Sequence, residues 1–518
     1  MFDVLIRDAL IVDGSGNPGY YADLGVVDDR IAAIGRFPQA EAVRVIGAEK
    51  KVLCPGFIDV HSHSELEMLA GRHTAGVQMG VTTEFTGPDG LSFAPLPPER
   101  LAEYRQYLHG VYGDADVGWD WRTLPEYLER FEGRIYNNVA AQIPQGVIRL
   151  AVMGWAAGLP TAEQLDAMCG LTRECMEAGA VSLCTGLDYV PGAHAGTEEL
   201  IALSRVVAEF GGIYATHMRG YGDEERADSI AEVVVIAREA GIGVHINHFA
   251  SVTPERYAEA EAARERGIDI TWDAYSYPAG STTLAYVLPR TLQRTDVASF
   301  VEQLGDPAGR DSLHADVEAA FPPGSRVYFT ALSRPENQWM EGQRLREVWR
   351  RSGKTLTDFV LDLLVDESLS PLLVYPWAGT AEENEAALRR TLTHPLQMVI
   401  SDGVYIGGYP NPRGWGTYPR ILGRYVREQG WLRLEDAIRR MTSFPAMRFG
   451  LDDRGLLRKG MAADLVIFDP QTIDARATYE EPRRPPVGID HVLVNGVSVV
   501  NDGTLTDQHA GRVLRLHS

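Results

Sequence analysis

Between residues 52 and 403 the chain repeats one pattern: a short apolar run, a few polar residues, then in several places a helical stretch before the next run. "VLCPGFIDVHSH", "GVTTEFTGPD", "NVAAQIP", "AVSLCTG", "GIYATHM", "GVHINHF", "IDITWDAY" and "LQMVISDG" read as eight strands. Helical patterns such as "TAEQLDAMCGLTRECMEAG" and "SIAEVVVIAREAG", the second closed by a glycine, lie between them. A helix returns the chain to the same end of the sheet, so strands that alternate with helices pair in parallel, and eight of them suffice to close a barrel. The expected fold class is α/β, a (β/α)8 TIM-type barrel over residues 55–449.

The two ends follow a different rule. "DVLIRDALIVDG", "ADLVIFDP" and "IDHVLVNGVSVVNDG" alternate apolar and polar residues at the period of half-buried antiparallel strands. Residues 1–54 and 450–518 are therefore expected to form one small β-sandwich domain built from both termini. The stretch from about 285 to 395 is too long for a single crossover, and it is expected to be an insertion between late barrel strands, over the barrel mouth.

Composition narrows the partners. With 71 acidic against 49 basic residues the formal net charge is −22, and no basic run opposes that field, so nucleic acid and anionic membrane are excluded as expected partners. No segment approaches the ~20 consecutive apolar residues of a membrane span. "MFDVLIRDALIVDG" lacks the basic and apolar regions of a secretory leader. Cys54, Cys169, Cys175 and Cys184 have neither paired spacing nor disulfide density and read as reduced, buried thiols. The expectation is a cytoplasmic protein acting on a small molecule, its oligomeric state unspecified by the pattern.

In "PGFIDVHSHSE", His61 and His63 stand two residues apart, so in extended backbone they face the same side. His217 closes "GIYATH", His248 closes "GVHINH", Asp273 closes "DITWD", and Asp402 follows "MVIS". A barrel gathers its strand ends at one mouth. Imidazole and carboxylate suit Zn²⁺ and similar divalent ions, so the set reads as a metal site.

The ordered series from HxH through two single histidines to a late aspartate resembles the metal-dependent amidohydrolase superfamily. "LCTGLDYVPGAHAGTEEL", "GGIYATHMRGYGDE", "GWGTYPRILGRYVRE" and "KGMAADLVIFDP" resemble its D-aminoacylase (N-acyl-D-amino-acid deacylase) branch, over most of residues 1–280 and 395–505. The resemblance implies metal ligands at His61, His63, His217 and His248, and a catalytic aspartate at Asp402. It further implies a substrate-carboxylate contact at Arg413 in "NPRGWGTYPR". Tyr189 matches as well and could either donate to the reacting carbonyl or serve the core. Arg219, two residues after His217, could either face the site or form a salt bridge at the rim.

Two departures stand out. Where the branch has "GNCG" with a ligating cysteine, this chain has "GPDG", which puts Asp89 there, either as a harder ligand that moves preference toward Mn²⁺ or as a turn residue. Where the branch commonly has a lysine, as in "HLK", this chain reads "NHFAS". The superfamily's bridging carboxylated lysine is excluded, because Lys50, Lys51, Lys354 and Lys459 all lie away from the barrel-strand ends.

The implied cofactor is Zn²⁺, one or two ions, or another divalent ion. The implied reaction is hydrolysis of the amide bond of an N-acyl amino acid, of the D series or a related N-acyl compound. Asp402 would move the proton. A cyclic-amide or imide hydrolase of the hydantoinase or dihydroorotase kind is the alternative, followed by a catalytically inactive barrel used as a binding module. "GSGNPG" matches GxGxxG by letter but leads into strand, so it reads as a hairpin loop.

Overall fold

The computed structural model describes residues 1–222, 225–250, 255–289, 292 and 295–516. The last letters of "GGIYATHMRGYGDE" and "NHFAS" lie outside the described residues. The amino-terminal strands are β1 (Phe2–Ile11), β2 (Tyr20–Val27), β3 (Arg30–Gly35), β4 (Ala42–Gly47) and β5 (Val52–Pro55). The barrel follows with β6 (Phe57–Asp59), β7 (Val81–Thr86), β8 (Asn138–Pro144), β9 (Ser182–Gly186), β10 (Ile213–His217), β11 (Val244–Ile246) and β12 (Ile270–Ala274). After β13 (Ala279–Thr283), β14 (Tyr328–Ala331) and β15 (Leu372–Pro376) comes the eighth barrel strand, β16 (Gln397–Val399). The chain ends with β17 (Leu465–Phe468), β18 (Ile489–Val494), β19 (Val497–Asn501), β20 (Thr504–Leu505) and β21 (Val513–Leu514).

From β6 to β12 each barrel strand pairs in parallel with the next, and β12 pairs in parallel with β16. Closure is made just beyond the regular strands. The amide of Asp402 donates to the carbonyl of His61 and that of His63 to the carbonyl of Gly403, both at 2.9 Å, with a parallel bridge between His63 and Val404. β6 stops at Asp59 because the Asp59 carboxylate takes the amides of His61 and Ser401, which replaces ladder bonds there. The two histidines thus leave the strand two and four residues beyond its end.

Helices pack outside. Thr161 caps Ala162–Glu177 in a capping box with Gln164, and Gly241, at φ 65°, ends Arg226–Ala240. Beneath the mouth Trp272, Tyr214, Leu183 and Ile143 are wholly buried in one apolar cluster.

Strands from both ends of the chain share a nine-stranded sheet in the order β20-β19-β18-β17-β5-β1-β2-β3, with β4 also pairing β1. Leu24, Ile6, Leu465 and Leu493 are fully buried in its own core. β21 leaves this sheet and pairs with β8 at Val139–Ala140. "GSGNPG" is the connection between the antiparallel β1 and β2. The segment between β12 and β16 carries its own antiparallel sheet, β13-β15-β14, and side chains of β13 and β15 wall the cavity at the mouth.

Candidate metal centre

The loop after β7 is built to bring Asp89 inward. Gly87, Asp89 and Gly90 all have left-handed φ (79°, 54° and 67°), and a side chain at Gly87 would lie 2.5 Å from the carbonyl oxygen of Gln142. Across the mouth a side chain at Gly186 would lie 1.9 Å from the carbonyl oxygen of Asp89, so the glycine ending β9 is what lets this loop approach. His248 and Asp402 are also left-handed, at φ 37° and 47°. Such backbone costs on the order of 1 kcal/mol or more per non-glycine residue and persists where the surroundings over-determine it.

Asp89 sits among four imidazoles. Its Oδ1 lies 3.5 Å from His61 Nε2, 3.5 Å from His217 Nδ1 and 3.4 Å from His248 Nε2, while its Oδ2 lies 3.5 Å from His63 Nε2. Asp402 Oδ1 is 3.6 Å from His61 Nε2 and 3.5 Å from His63 Nε2. Three donor sets arise: His61 with His63 and Asp89, Asp89 with His217 and His248, and His61 with His248 and Asp402. Asp89 belongs to two of them.

These separations are longer than the usual charge-assisted hydrogen bond and suit a shared cation. Ligands ~2.0–2.2 Å from a tetrahedral ion stand ~3.3–3.6 Å from each other. Both ring nitrogens of His61, Asp89 Oδ1 and His217 Nε2 are buried without a hydrogen-bond partner. The electrostatics agree. Burial opposes charge on His61, yet Asp89 and Asp402 outweigh it and bring the imidazole up to about 10. Burial would raise Asp89, but His61 and His217 hold it well below the usual carboxylate range. Two buried carboxylates thus draw positive charge into the place where the histidines converge, and the residues fit a divalent ion.

Around this core are second contacts. His63 Nδ1 meets the Tyr112 hydroxyl at 3.2 Å, and Tyr112 in turn reaches Glu65 at 3.4 Å. Glu65 also accepts from Gly87 N, Ser92 and Tyr127, each at 2.6 Å, which ties the first histidine pair to the Asp89 loop. Asp273 accepts from the amide of His248 and from His245 Nε2 at 2.8 Å, so it orients a neighbour of the site and lies outside the three donor sets.

Arg413, at the start of the helix Arg413–Arg420, is 1% exposed. Its Nη2 lies 2.8 Å from Asp402 Oδ2, and its guanidinium lies over the Tyr275 ring at 4.3 Å. Burial would raise Asp402, but Arg413 and then His63 keep its carboxyl below the ordinary value. Tyr189 lies against His217 with ring centroids 4.9 Å apart, its hydroxyl 3.4 Å from Thr282 Oγ1, and burial pushes that phenol well up. Both residues line a cavity of about 480 Å³ that also exposes Asp89, His217, His248 and Asp402.

Arg219 does not reach the cavity. It is bonded to Glu232 at 3.0 Å and to the carbonyls of Ala193 and Ala195 at 3.0 and 2.9 Å, so its donors pin the loop after β9 to the helix Arg226–Ala240. Of the two roles open to it, substrate contact or rim salt bridge, these bonds make the rim bridge. Sequence reasoning missed Asp188, which lines the cavity with Oδ2 3.6 Å from His217 Nε2, although it stands beside Tyr189 in "LDYVPG". Glu65 was likewise in view at the end of "HSHSE", whereas nothing local marks Tyr112 or Tyr275.

Residues 44–500 match the Amidohydrolase family. D-aminoacylase of Alcaligenes xylosoxydans xylosoxydans is 35% identical over 522 residues, covering 99% of this chain and 97% of that protein. The crystal structure of N-acyl-D-glutamate deacylase from Bordetella bronchiseptica, complexed with zinc and a phosphonate mimic of the reaction tetrahedral intermediate, has a TM-score of 0.81 at 33% identity and covers 99% of each chain. A D-aminoacylase structure addressing the role of its binuclear metal centre has a TM-score of 0.83 at 34% identity, over 99% of this chain and 100% of that one. With the likeness running from the terminal sheet through the eighth barrel strand, the chain belongs to the amidohydrolase family.

Proposed function

We infer that the chain is a metal-dependent deacylase that hydrolyses the amide bond of an N-acyl amino acid of the D series. The observation that carries this is the convergence of four histidines on Asp89, with Asp402 beside them and Arg413 behind Asp402. The names of the relatives, D-aminoacylase and N-acyl-D-glutamate deacylase, support the reaction class.

His61, His63, His217, His248 and Asp89 would hold one or two Zn²⁺ ions, with Mn²⁺ favoured more than a thiolate in place of Asp89 would allow. A divalent cation there supplies Lewis acidity and brings the pKa of water toward ~7. Asp402 Oδ1 takes the proton of the attacking water and delivers it to the departing nitrogen, since an unprotonated amine is a poor leaving group. Arg413 keeps that carboxylate ionised, and its Nε and Nη1, buried without partners, are donors for the substrate carboxylate. Tyr189 donates its hydroxyl to the oxygen that gains charge as the carbonyl becomes tetrahedral.

The walls point to the side chain. Leu91, Leu108, Val111, Leu369 and Leu372 line the cavity, and Arg413 carries the one guanidinium or ammonium group among the described residues that do. With that cation committed to the α-carboxylate, an apolar amino-acid side chain fits and a second carboxylate does not. A cytoplasmic setting, in which the four free thiols stay reduced, belongs to the same reading.

Enzyme loaded separately with Zn²⁺ and Mn²⁺ should be offered N-acetyl-D-amino acids, their L enantiomers and cyclic imides. Turnover of the D series supports the assignment. Turnover of the imides alone rejects it.

A further inference from the structure

A second cavity, of about 640 Å³, lies behind the wall of the first. The sheet β13-β15-β14 divides them: Tyr375 of β15 lines the metal cavity, whereas Val374 and Pro376 line the second. Phe329 and Tyr328 of β14 add to its apolar side. Its polar lining gathers three guanidiniums, Arg326, Arg420 and Arg424, against two carboxylates, Glu385 and Glu480, in a chain whose net charge is −22.

Arg420 is the informative residue. It ends the helix that Arg413 begins, seven residues on, so the two guanidiniums leave nearly the same face about two turns apart. Each cation rests on a tyrosine of one short segment: Arg413 over Tyr275 at 4.3 Å, Arg420 over Tyr277 at 4.6 Å. There the likeness ends. Arg413 has Asp402, while Arg420 forms no ion pair among the described residues and gives its Nε to the Tyr425 hydroxyl at 3.2 Å. That hydroxyl itself donates to the Ser276 carbonyl at 3.1 Å.

Neither acid of the lining forms an ion pair with it among the described residues. Glu385 is taken by Arg424 at 2.9 Å, and Arg424 Nε remains buried without a partner. Arg326, exposed at the edge, also forms no ion pair among the described residues and gives only a 3.5 Å bond to the Gly379 carbonyl. Desolvated guanidinium without an acid is unfavourable unless an anion arrives, and guanidinium binds carboxylate through paired charge-assisted hydrogen bonds.

We propose that this second cavity is a binding site for a small organic carboxylate with an apolar, aryl-sized body. Its carboxylate pairs with Arg420, with Arg326 at the entrance, and its body lies against Tyr328, Phe329 and Val374. The site is separate from the metal centre and stands whether or not the deacylase reading does.

The test is a ¹⁹F NMR titration of the full-length, metal-loaded protein with 3-fluorophenylacetate, beside the uncharged 2-(3-fluorophenyl)ethanol and inorganic phosphate. Saturable binding of the carboxylate that weakens about tenfold or more in Arg420→Leu and falls in Arg326→Glu is the expected result. Arg326 is exposed, so its variant retains the fold even where the Arg420 one does not. Affinity unmoved in the Arg326 and Arg420 variants, or absent in the wild type, overturns the proposal. Equal binding of the alcohol or of phosphate overturns the carboxylate class.

Discussion

Arg413 Nη2 stands 2.8 Å from Asp402 Oδ2, in a contact closed off from solvent and floored by Tyr275. The arginine comes from a helix after the eighth strand and the aspartate from the loop that closes the barrel, so one ion pair ties the two segments together at the cavity. In Arg413→Met the buried aspartate loses its nearest cation and keeps only the imidazoles beside it. Stability should fall by about 3–5 kcal/mol, as when one partner of a buried pair is removed. Burial then acts on Asp402 unopposed by Arg413, so the acid limb of the kcat/KM profile should move to higher pH. Denaturant melts and a pH–rate series check both.

Asp402→Asn preserves the shape of the carboxylate and removes its basicity. Turnover should drop by ~10²–10⁴-fold while bound metal, measured by atomic emission, stays at the wild-type level. Near-normal turnover would reject the proton-transfer role.

Asp89 is shared by two donor sets, so its loss should be felt by both. Asp89→Ala is expected to lose at least one equivalent of metal after dialysis, and Asp89→Cys to retain zinc while losing manganese, following ligand hardness. Unchanged stoichiometry and affinity in the alanine variant would remove Asp89 from the ligands.

His73 and Glu84 form a buried pair at 2.7 Å away from the donor sets. Burial lowers His73, but Glu84 outweighs it and the net shift is upward from 6.5; burial raises Glu84, but His73 outweighs it and the net shift is downward from 4.5. The histidine therefore contributes stability fully present below about 6.5 and lost as pH rises through its raised value, while the glutamate's share is lost in acid. His73→Gln should cost about 3 kcal/mol near pH 6 and less at alkaline pH, read from urea melts at both.

The apolar wall should set substrate preference. N-acetyl-D-leucine is expected to exceed N-acetyl-D-glutamate in kcat/KM by about tenfold or more, because a carboxylate among leucines has no partner. Leu372→Arg should narrow that ratio. A wild-type preference for the acidic substrate would refute the reading of the cavity.

Much of this was legible along the chain. The eight strands could be found because β-branched runs bounded by polar residues and helices are local features, and a parallel barrel needs nothing else to gather their ends. The strand order brings His61, His63, His217, His248 and Asp402 to one mouth, and left-handed backbone at His248 and Asp402 completes their approach. Asp89 was legible as either a harder ligand or a turn residue, and its place among the imidazoles depends on the left-handed turn and on Gly186, whose missing side chain admits the loop.

Local pattern, then, determined the fold class and the candidate imidazoles, since period and residue type are properties of neighbours in sequence. Tertiary structure alone decided the fates of the arginines. Arg219, two residues from a ligand, is consumed by Glu232 and two carbonyls, while Arg413, distant in sequence from the histidines, is carried behind Asp402, and Arg420 on the same helix faces another cavity. A long cationic side chain pairs with whatever acid the packing brings within reach, and that acid is set by contacts between segments that the chain, read residue by residue, keeps apart.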